Sequence, residues 1–208
     1  AGIASAAVNL NAPNMDVQNI YARKTCDVNA TTGVPNAGYV IGTTGLFGGT
    51  ARIKGCYVDY GGKHGIGLVT DADNSDVTVE DCRAEQCSPY GSQSPWVSYM
   101  SGATKTGNIH RYIRCITDKN SGLIGSTAGQ SDNQSIWLSH NSGSGTQFAE
   151  FEFLDCLFPS GNVAVGISTL ITMEGCTFGS VLNYCPTINI NRCKFDNKGL
   201  DILTTDPC

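Results

Sequence analysis

Phe153-Leu154-Asp155-Cys156-Leu157-Phe158 joins two short apolar alternations through an interruption that ends on a cysteine. Upstream, Phe151 and Phe153 alternate with polar residues, which is the period of a strand with one buried face. The interruption carries Asp155, a residue type that tolerates the left-handed backbone a sharp bend requires. The same figure returns as Ile53-Lys54-Gly55-Cys56-Tyr57-Val58, Val79-Glu80-Asp81-Cys82, Met173-Glu174-Gly175-Cys176-Thr177-Phe178 and Ile190-Asn191-Arg192-Cys193-Lys194-Phe195. Weaker copies centre on Cys26 and Cys115. Self-similarity at this spacing predicts a solenoid, in which each unit buries its apolar face by stacking on its neighbours.

Each copy extends into a third apolar stretch after a loop of variable length, as in Gly65-Ile66-Gly67-Leu68, Val163-Ala164-Val165 and Gly199-Leu200-Asp201-Ile202. Three short strands, a tight corner and an adjustable loop therefore make one rung. The gap between Cys115 and Cys156 is the widest, and Ser135-Ile136-Trp137-Leu138 within it reads as a degenerate rung of its own. Structureless loops longer than about 15 residues are uncommon, which favours that reading. A β-sandwich is the alternative, but it does not require a cysteine at one place in every unit.

Ten cysteines without a single C-x-x-C pair argue against zinc. Cys26, Cys56, Cys82, Cys115, Cys156, Cys176 and Cys193 occupy the repeat position. Neighbouring rungs lie about 4.8 Å apart with parallel side chains. A disulfide needs Cβ atoms about 3.5 to 4.5 Å apart and side chains turned toward each other, so a ladder of buried thiols is expected instead. That implies folding in a reducing compartment. Cys87, Cys185 and Cys208 lie off the ladder.

The 208 residues suit one domain, with 18 acidic against 13 basic side chains and a net charge of −5. That balance excludes nucleic acid as an expected partner. Only 15% of residues are charged and 25 are glycine, which fits short strands and turns rather than helices. Ala1 to Leu10 shows neither a basic leader nor a continuous apolar run, so neither a secretory signal nor membrane insertion is expected.

The repeat resembles the right-handed parallel β-helix, the pectate-lyase-like superfold, over roughly residues 15 to 204. Seven or eight rungs make a column only about 35 to 40 Å long. Its open ends need capping. Short β-helices of this kind are found in parallel trimers in phage tailspikes and related virion spikes, and the chain resembles that group. The resemblance implies a homotrimer, with residues 1–14 docking to other virion proteins and 15–208 forming the β-helix. It implies a non-enzymatic spike or capsid decoration (cement) protein on the virion surface, folded in host cytosol, in contact with host surface glycans.

Asp71, Asp73 and Asp76 form the one dense carboxylate run, and paired carboxylates are what glycoside cleavage needs. They carry the alternative reading, a tailspike-type polysaccharide lyase or hydrolase, or a fragment of one. A solvated turn before the strand Val77-x-Val79 is the favoured account of them. Arg52-Ile53-Lys54 and His64-Gly65 resemble motifs of polygalacturonase-like enzymes, but here they precede the aspartates instead of following them. No metal and no cofactor are expected. Glycan contact is assigned to the aromatic residues of the long loops, Tyr90, Trp96, Tyr99 and Trp137, because flat rings amid hydroxyl and amide groups hold sugar rings. Trp96 and Trp137 could instead plug the interior or a contact between copies.

Overall fold

The computed structural model describes residues 8–23, 39–43, 48–59, 64–70, 72–85, 96–100, 107–117, 134–139, 149–165, 170–183 and 187–202. These residues form strands and turns, with no helix among them, and every strand pairing is parallel. Numbered in chain order, a seven-stranded sheet comprises β2 (Met15–Gln18), β5 (Gly49–Lys54), β8 (Ser75–Glu80), β11 (Asn108–Ile113), β13 (Ala149–Leu154), β15 (Leu170–Glu174) and β17 (Ile188–Asn191). An eight-stranded sheet comprises β1 (Val8–Leu10), β4 (Tyr39–Thr43), β7 (His64–Thr70), β10 (Trp96–Met100), β12 (Gln134–Ser139), β14 (Leu157–Val165), β16 (Thr177–Asn183) and β18 (Lys194–Ile202). A short third sheet holds β3 (Tyr21–Arg23), β6 (Tyr57–Asp59) and β9 (Arg83–Glu85), and single bridges through Ile116 extend its line to Leu157. Strand order within each sheet follows sequence order. The chain thus visits the sheets in rotation and lays each unit beside the previous one.

The seven-stranded sheet shows why the alternation matters. Ala51, Val77, His110, Phe151 and Ile171 stand in one inward column, and Ile53, Val79, Tyr112, Phe153 and Met173 in the next, all buried. Aromatic rings fill the widest part of the interior. Tyr112 stacks on Phe153 with ring centroids 5.1 Å apart, and Phe158, Phe178 and Phe195 form a second stacked line. Full burial of one such side chain stabilises by about 1.5 to 3 kcal/mol relative to exposure.

After each strand of this sheet comes one residue with a left-handed backbone. It is Asn19, Gly55, Asp81, Arg114, Asp155, Gly175 and Arg192 in turn, with φ between 50° and 66°. Its N–H donates to a carbonyl of the following unit, as from Gly55 to Glu80 (2.9 Å) and from Gly175 to Asn191 (3.0 Å). Two residues later the N–H donates to the unit before, as from Arg83 to Cys56 (2.8 Å) and from Lys194 to Cys176 (2.8 Å). The five corners from Gly55 to Gly175 are therefore tied in both directions, which satisfies backbone groups that a bend would otherwise strand.

The structure bears on four of the expectations. The ladder place below Cys56 belongs to Ile20, whose carbonyl accepts from Tyr57 N–H (2.8 Å) as that of Cys56 accepts from Arg83. Cys26 lies outside the described residues. Ser135 to Leu138 do form a strand, β12, but it pairs with β10 and β14 in the eight-stranded sheet. It follows β11 and precedes β13, and among the described residues of the wide gap it is the one strand and adds nothing to the seven-stranded sheet. Trp96 is fully buried. Finally, β1 pairs with β4 and Leu10 is fully buried, so Val8–Leu10 add a strand to the eight-stranded sheet.

Candidate functional site

The outward positions of the seven-stranded sheet carry ionic residues in register. Asp16, Arg52, Thr78, Arg111 and Glu152 form one outward column, and Gln18, Lys54 and Glu80 another. Thr78 is short and stands between two long arginines, which leaves a groove of about 480 Å³ lined by Asp16, Arg52, Asp76, Thr78, Glu80 and Arg111. Glu80 accepts from Arg52, from Lys54 Nζ (3.2 Å) and from Arg114 Nη2 (2.6 Å). These cations, Arg52 first, hold the Glu80 carboxyl down at about 2. Arg111 bridges Asp76 and Glu152, the latter at 2.6 Å. Arg114 also engages Asp81 at 2.6 Å, which lowers the Asp81 carboxyl below its ordinary value.

This arrangement is unsuited to the acid half of glycoside cleavage. That chemistry needs one carboxyl kept protonated near neutral pH by an apolar pocket or a like charge. Here Glu80 is pushed the other way and Asp76 faces a guanidinium. Asp73 is exposed in the turn before β8, and Asp71 lies outside the described residues. Of the two described aspartates, Asp76 is therefore engaged by Arg111 and Asp73 lies exposed in the turn. Among the described residues no group of three or more His, Cys, Asp or Glu side chains could hold a metal ion.

Cys56, Cys82, Cys115, Cys156 and Cys176 are free and buried, and Cys193 is free and half-buried. Their sulfurs donate within the corner, as from Cys156 Sγ to the carbonyl of Leu154 (3.4 Å), and backbone links run between units, as from Cys56 N–H to Cys82 Sγ (3.3 Å). Burial pushes the thiols of Cys156 and Cys193 up, and the neighbouring thiol together with burial does the same for Cys82 and Cys176. Held protonated in an apolar stack, the thiols of Cys82, Cys156, Cys176 and Cys193 are poor nucleophiles and serve as packing, whereas the hydrogen bond with Cys82 lowers the Cys56 thiol to about 7.

Trp96 packs edge-on against Tyr112 and Phe158, each at 6.0 Å, and its indole N–H donates to Thr117. Its faces are occupied by the interior and are closed to a glycan. Tyr90 lies outside the described residues, as do the side chains of Tyr99 and Trp137, whose backbones run in β10 and β12. A different aromatic cluster stands on the outer side of the third sheet. Tyr21 and Tyr57 are neighbours in register with ring centroids 5.2 Å apart, and the Arg83 guanidinium lies 5.7 Å from the Tyr57 centroid. Arg23 pairs with Asp59 (3.2 Å), while Glu85 accepts from Arg83 (2.7 Å) and from the Tyr57 hydroxyl (2.9 Å).

That cluster escaped the sequence reading because Tyr21-Ala22-Arg23 carries no cysteine to mark its unit. Aligning units on the corner, rather than on Cys, would have placed Tyr21, Tyr57 and Arg83 in one column. No family model, curated protein or solved structure matches the chain.

Proposed function

We propose that this chain is a right-handed parallel β-helix that serves as a non-enzymatic structural component of a virion surface. In this reading it resembles phage tailspikes, works as a spike or capsid decoration protein, and contacts host surface glycans. The observation that carries the β-helix part is the rotation of the chain through parallel sheets, with a left-handed corner recurring after every strand of the seven-stranded sheet. The virion part follows from the resemblance of the repeat together with the absence of an assembled acid and base pair among the described residues. Paired arginines and carboxylates on the groove face support binding or structure over bond cleavage. Free thiols in an apolar column suit folding in a reducing host cytosol before assembly.

Ile190, in the last described strand of the seven-stranded sheet, is 38% exposed, and covering such apolar surface would favour self-association. A parallel homotrimer, docked to other virion proteins through residues 1–14, is the proposed assembly. Light scattering under reducing conditions tests it. A native mass near three times 21.9 kDa is expected. A stable monomer would overturn the trimeric spike and leave a self-contained domain.

A further inference from the structure

We propose that successive cysteines of the inward column form binding sites for soft monovalent cations of the copper(I) and silver(I) class, each ion held in line between two sulfurs. Cys56, Cys82, Cys115, Cys156 and Cys176 are free and at most 2% exposed. Cys193 continues the column in the last described unit, where it is half-buried and gives an ion its entry. The side chains meet across units: Cys56 touches Cys82, Cys115 touches Cys156, and Cys176 touches both Cys156 and Cys193. Pairing each sulfur once makes three sites from these six cysteines, Cys56 with Cys82, Cys115 with Cys156 and Cys176 with Cys193.

Donor type, spacing and polarity all point to that occupant. Thiolate is the soft ligand that selects copper(I) over hard cations. A thiolate bond to a filled-shell cation is about 2.3 Å long, as for zinc, so two in line span about 4.6 Å, close to the spacing of about 4.8 Å between units. Zinc itself takes four ligands in a tetrahedron, whereas a straight column presents two sulfurs to any one point, the number that a filled-shell monovalent ion accepts. A two-sulfur site is also compatible with the lack of any larger ligand group among the described residues. Loading moves no electrons: one copper(I) enters, two S–H bonds break, two Cu–S bonds form and two protons leave to solvent, so each site carries one negative charge. Backbone donors already face that charge, as Cys56 N–H donates to Cys82 Sγ and Cys156 N–H to Cys176 Sγ, both at 3.3 Å. Such hydrogen bonds steady a ligating sulfur, and the apolar surroundings keep competing water out. What is lost is weak, because S–H is a poor donor and here serves strand carbonyls, as from Cys56 to Lys54 (3.4 Å) and from Cys176 to Glu174 (3.2 Å).

This inference does not depend on the virion reading. The test takes the full chain with Cys26→Ser, Cys87→Ser, Cys185→Ser and Cys208→Ser, which leaves the six column thiols, and titrates it anaerobically with copper(I) against bicinchoninate as a competing chelator. Three ions per chain should resist the chelator, one for each pair, and X-ray absorption should show two sulfur neighbours in line around copper. Zinc(II) should not be retained under the same conditions. Cys193→Ala, at the half-buried end of the column, should fold as its parent does and hold one ion fewer, because Cys176 loses its partner. Cys82→Ala should likewise lose one ion by isolating Cys56. The same titration of the chain that keeps its other four cysteines must show the same loss of one ion in Cys193→Ala, whatever those thiols add to the total. No copper retained, nitrogen, oxygen or three sulfur neighbours around it, zinc held in its place, or a load unchanged in a folded Cys193→Ala would each overturn the proposal.

Discussion

The units built around Cys156 and Cys193 have the same local conformation and opposite fates. Asp155 and Arg192 bend at φ 51° and 54°, and each following cysteine donates to the carbonyl two residues back at 3.4 Å. Phe153, Cys156 and Phe158 are nevertheless buried to 2% exposure or less, while Ile190 is 38% exposed and Cys193 and Phe195 are half-buried. The backbone of a unit is therefore decided within the unit, whereas its burial is decided by whether another unit lies above it. Stability in such an array is close to a sum of unit terms and nearest-neighbour terms. The same substitution should cost far more in the middle than at the end.

Phe153→Ala gives the largest expected effect. Phe153 stacks on Tyr112 and meets Phe158 and Phe178 edge-on, so truncation opens a cavity among rings that cannot collapse into it. A loss of about 3 to 5 kcal/mol is expected in denaturant unfolding. Ile190→Ala at the equivalent place of the last unit should cost about 1 kcal/mol, since much of that side chain never leaves water. Equal losses at the two sites would break the nearest-neighbour picture.

Acid should strike the middle first. His110 is fully buried against Phe151 and shares a hydrogen bond with Thr70 (3.1 Å), and burial lowers it to about 4 even though the Asp76 charge works the other way. The unfolded chain takes up this proton near pH 6.5 and the folded chain only near 4, so stability present above pH 6.5 is lost as pH falls toward 4. About 3 kcal/mol is at stake. Glu80 acts at lower pH. Arg52 and its neighbours hold it at about 2, so its contribution persists above the ordinary carboxylate range and disappears as pH falls through about 2. Urea midpoints measured from pH 7 to pH 4 should decline in the parent and flatten in His110→Gln.

The thiol column separates middle from end by size. Cys156→Met forces extra volume into a packed interior and should cost about 1 to 3 kcal/mol. Cys193→Met at a half-buried place should change the melting temperature little. A costly Cys193→Met would mean that the last unit is covered in solution by something that closes the array, such as a second copy.

Much of this architecture is legible in the residues because two physical demands leave marks. Inward positions must be apolar, which gave the strands, and Gly or Asp at the bend gave four corners, Gly55, Asp81, Asp155 and Gly175. The reading failed where a demand is met by an unexpected residue. Ile20 fills the ladder without being a cysteine, and Arg114 and Arg192 take the left-handed corner because ion pairs with Asp81 and Glu174 hold their side chains outside. Trp96 admits two readings from the sequence, a loop ring for glycans or a plug of the interior, and the pairing of β10 with β7 and β12 turns it inward. The cluster of Tyr21, Tyr57 and Arg83 is a property of columns across units, which no window along the chain contains.

The corner itself provides the finest test of what is local. At Gly175 the left-handed backbone, φ +66°, coincides with crowding, because a Cβ there would meet the carboxylate of Asp155 one unit below. Gly175→Ala therefore adds left-handed strain of about 1 to 2 kcal/mol, and the contact adds to it unless Asp155 swings away. Asp155→Ala in the same chain should recover only the crowding part, leaving the backbone part, so a double-mutant cycle separates the two. Arg192→Gly asks the converse question in the last unit. It relieves a strained φ of +54° but releases an exposed ion pair with Glu174 and frees the unfolded chain. These terms oppose each other, and the net change should stay within about 0.5 kcal/mol. If Arg192→Gly were instead strongly destabilising, the last corner would be held by contacts beyond its own unit, and the independence of unit conformation from neighbours would fail.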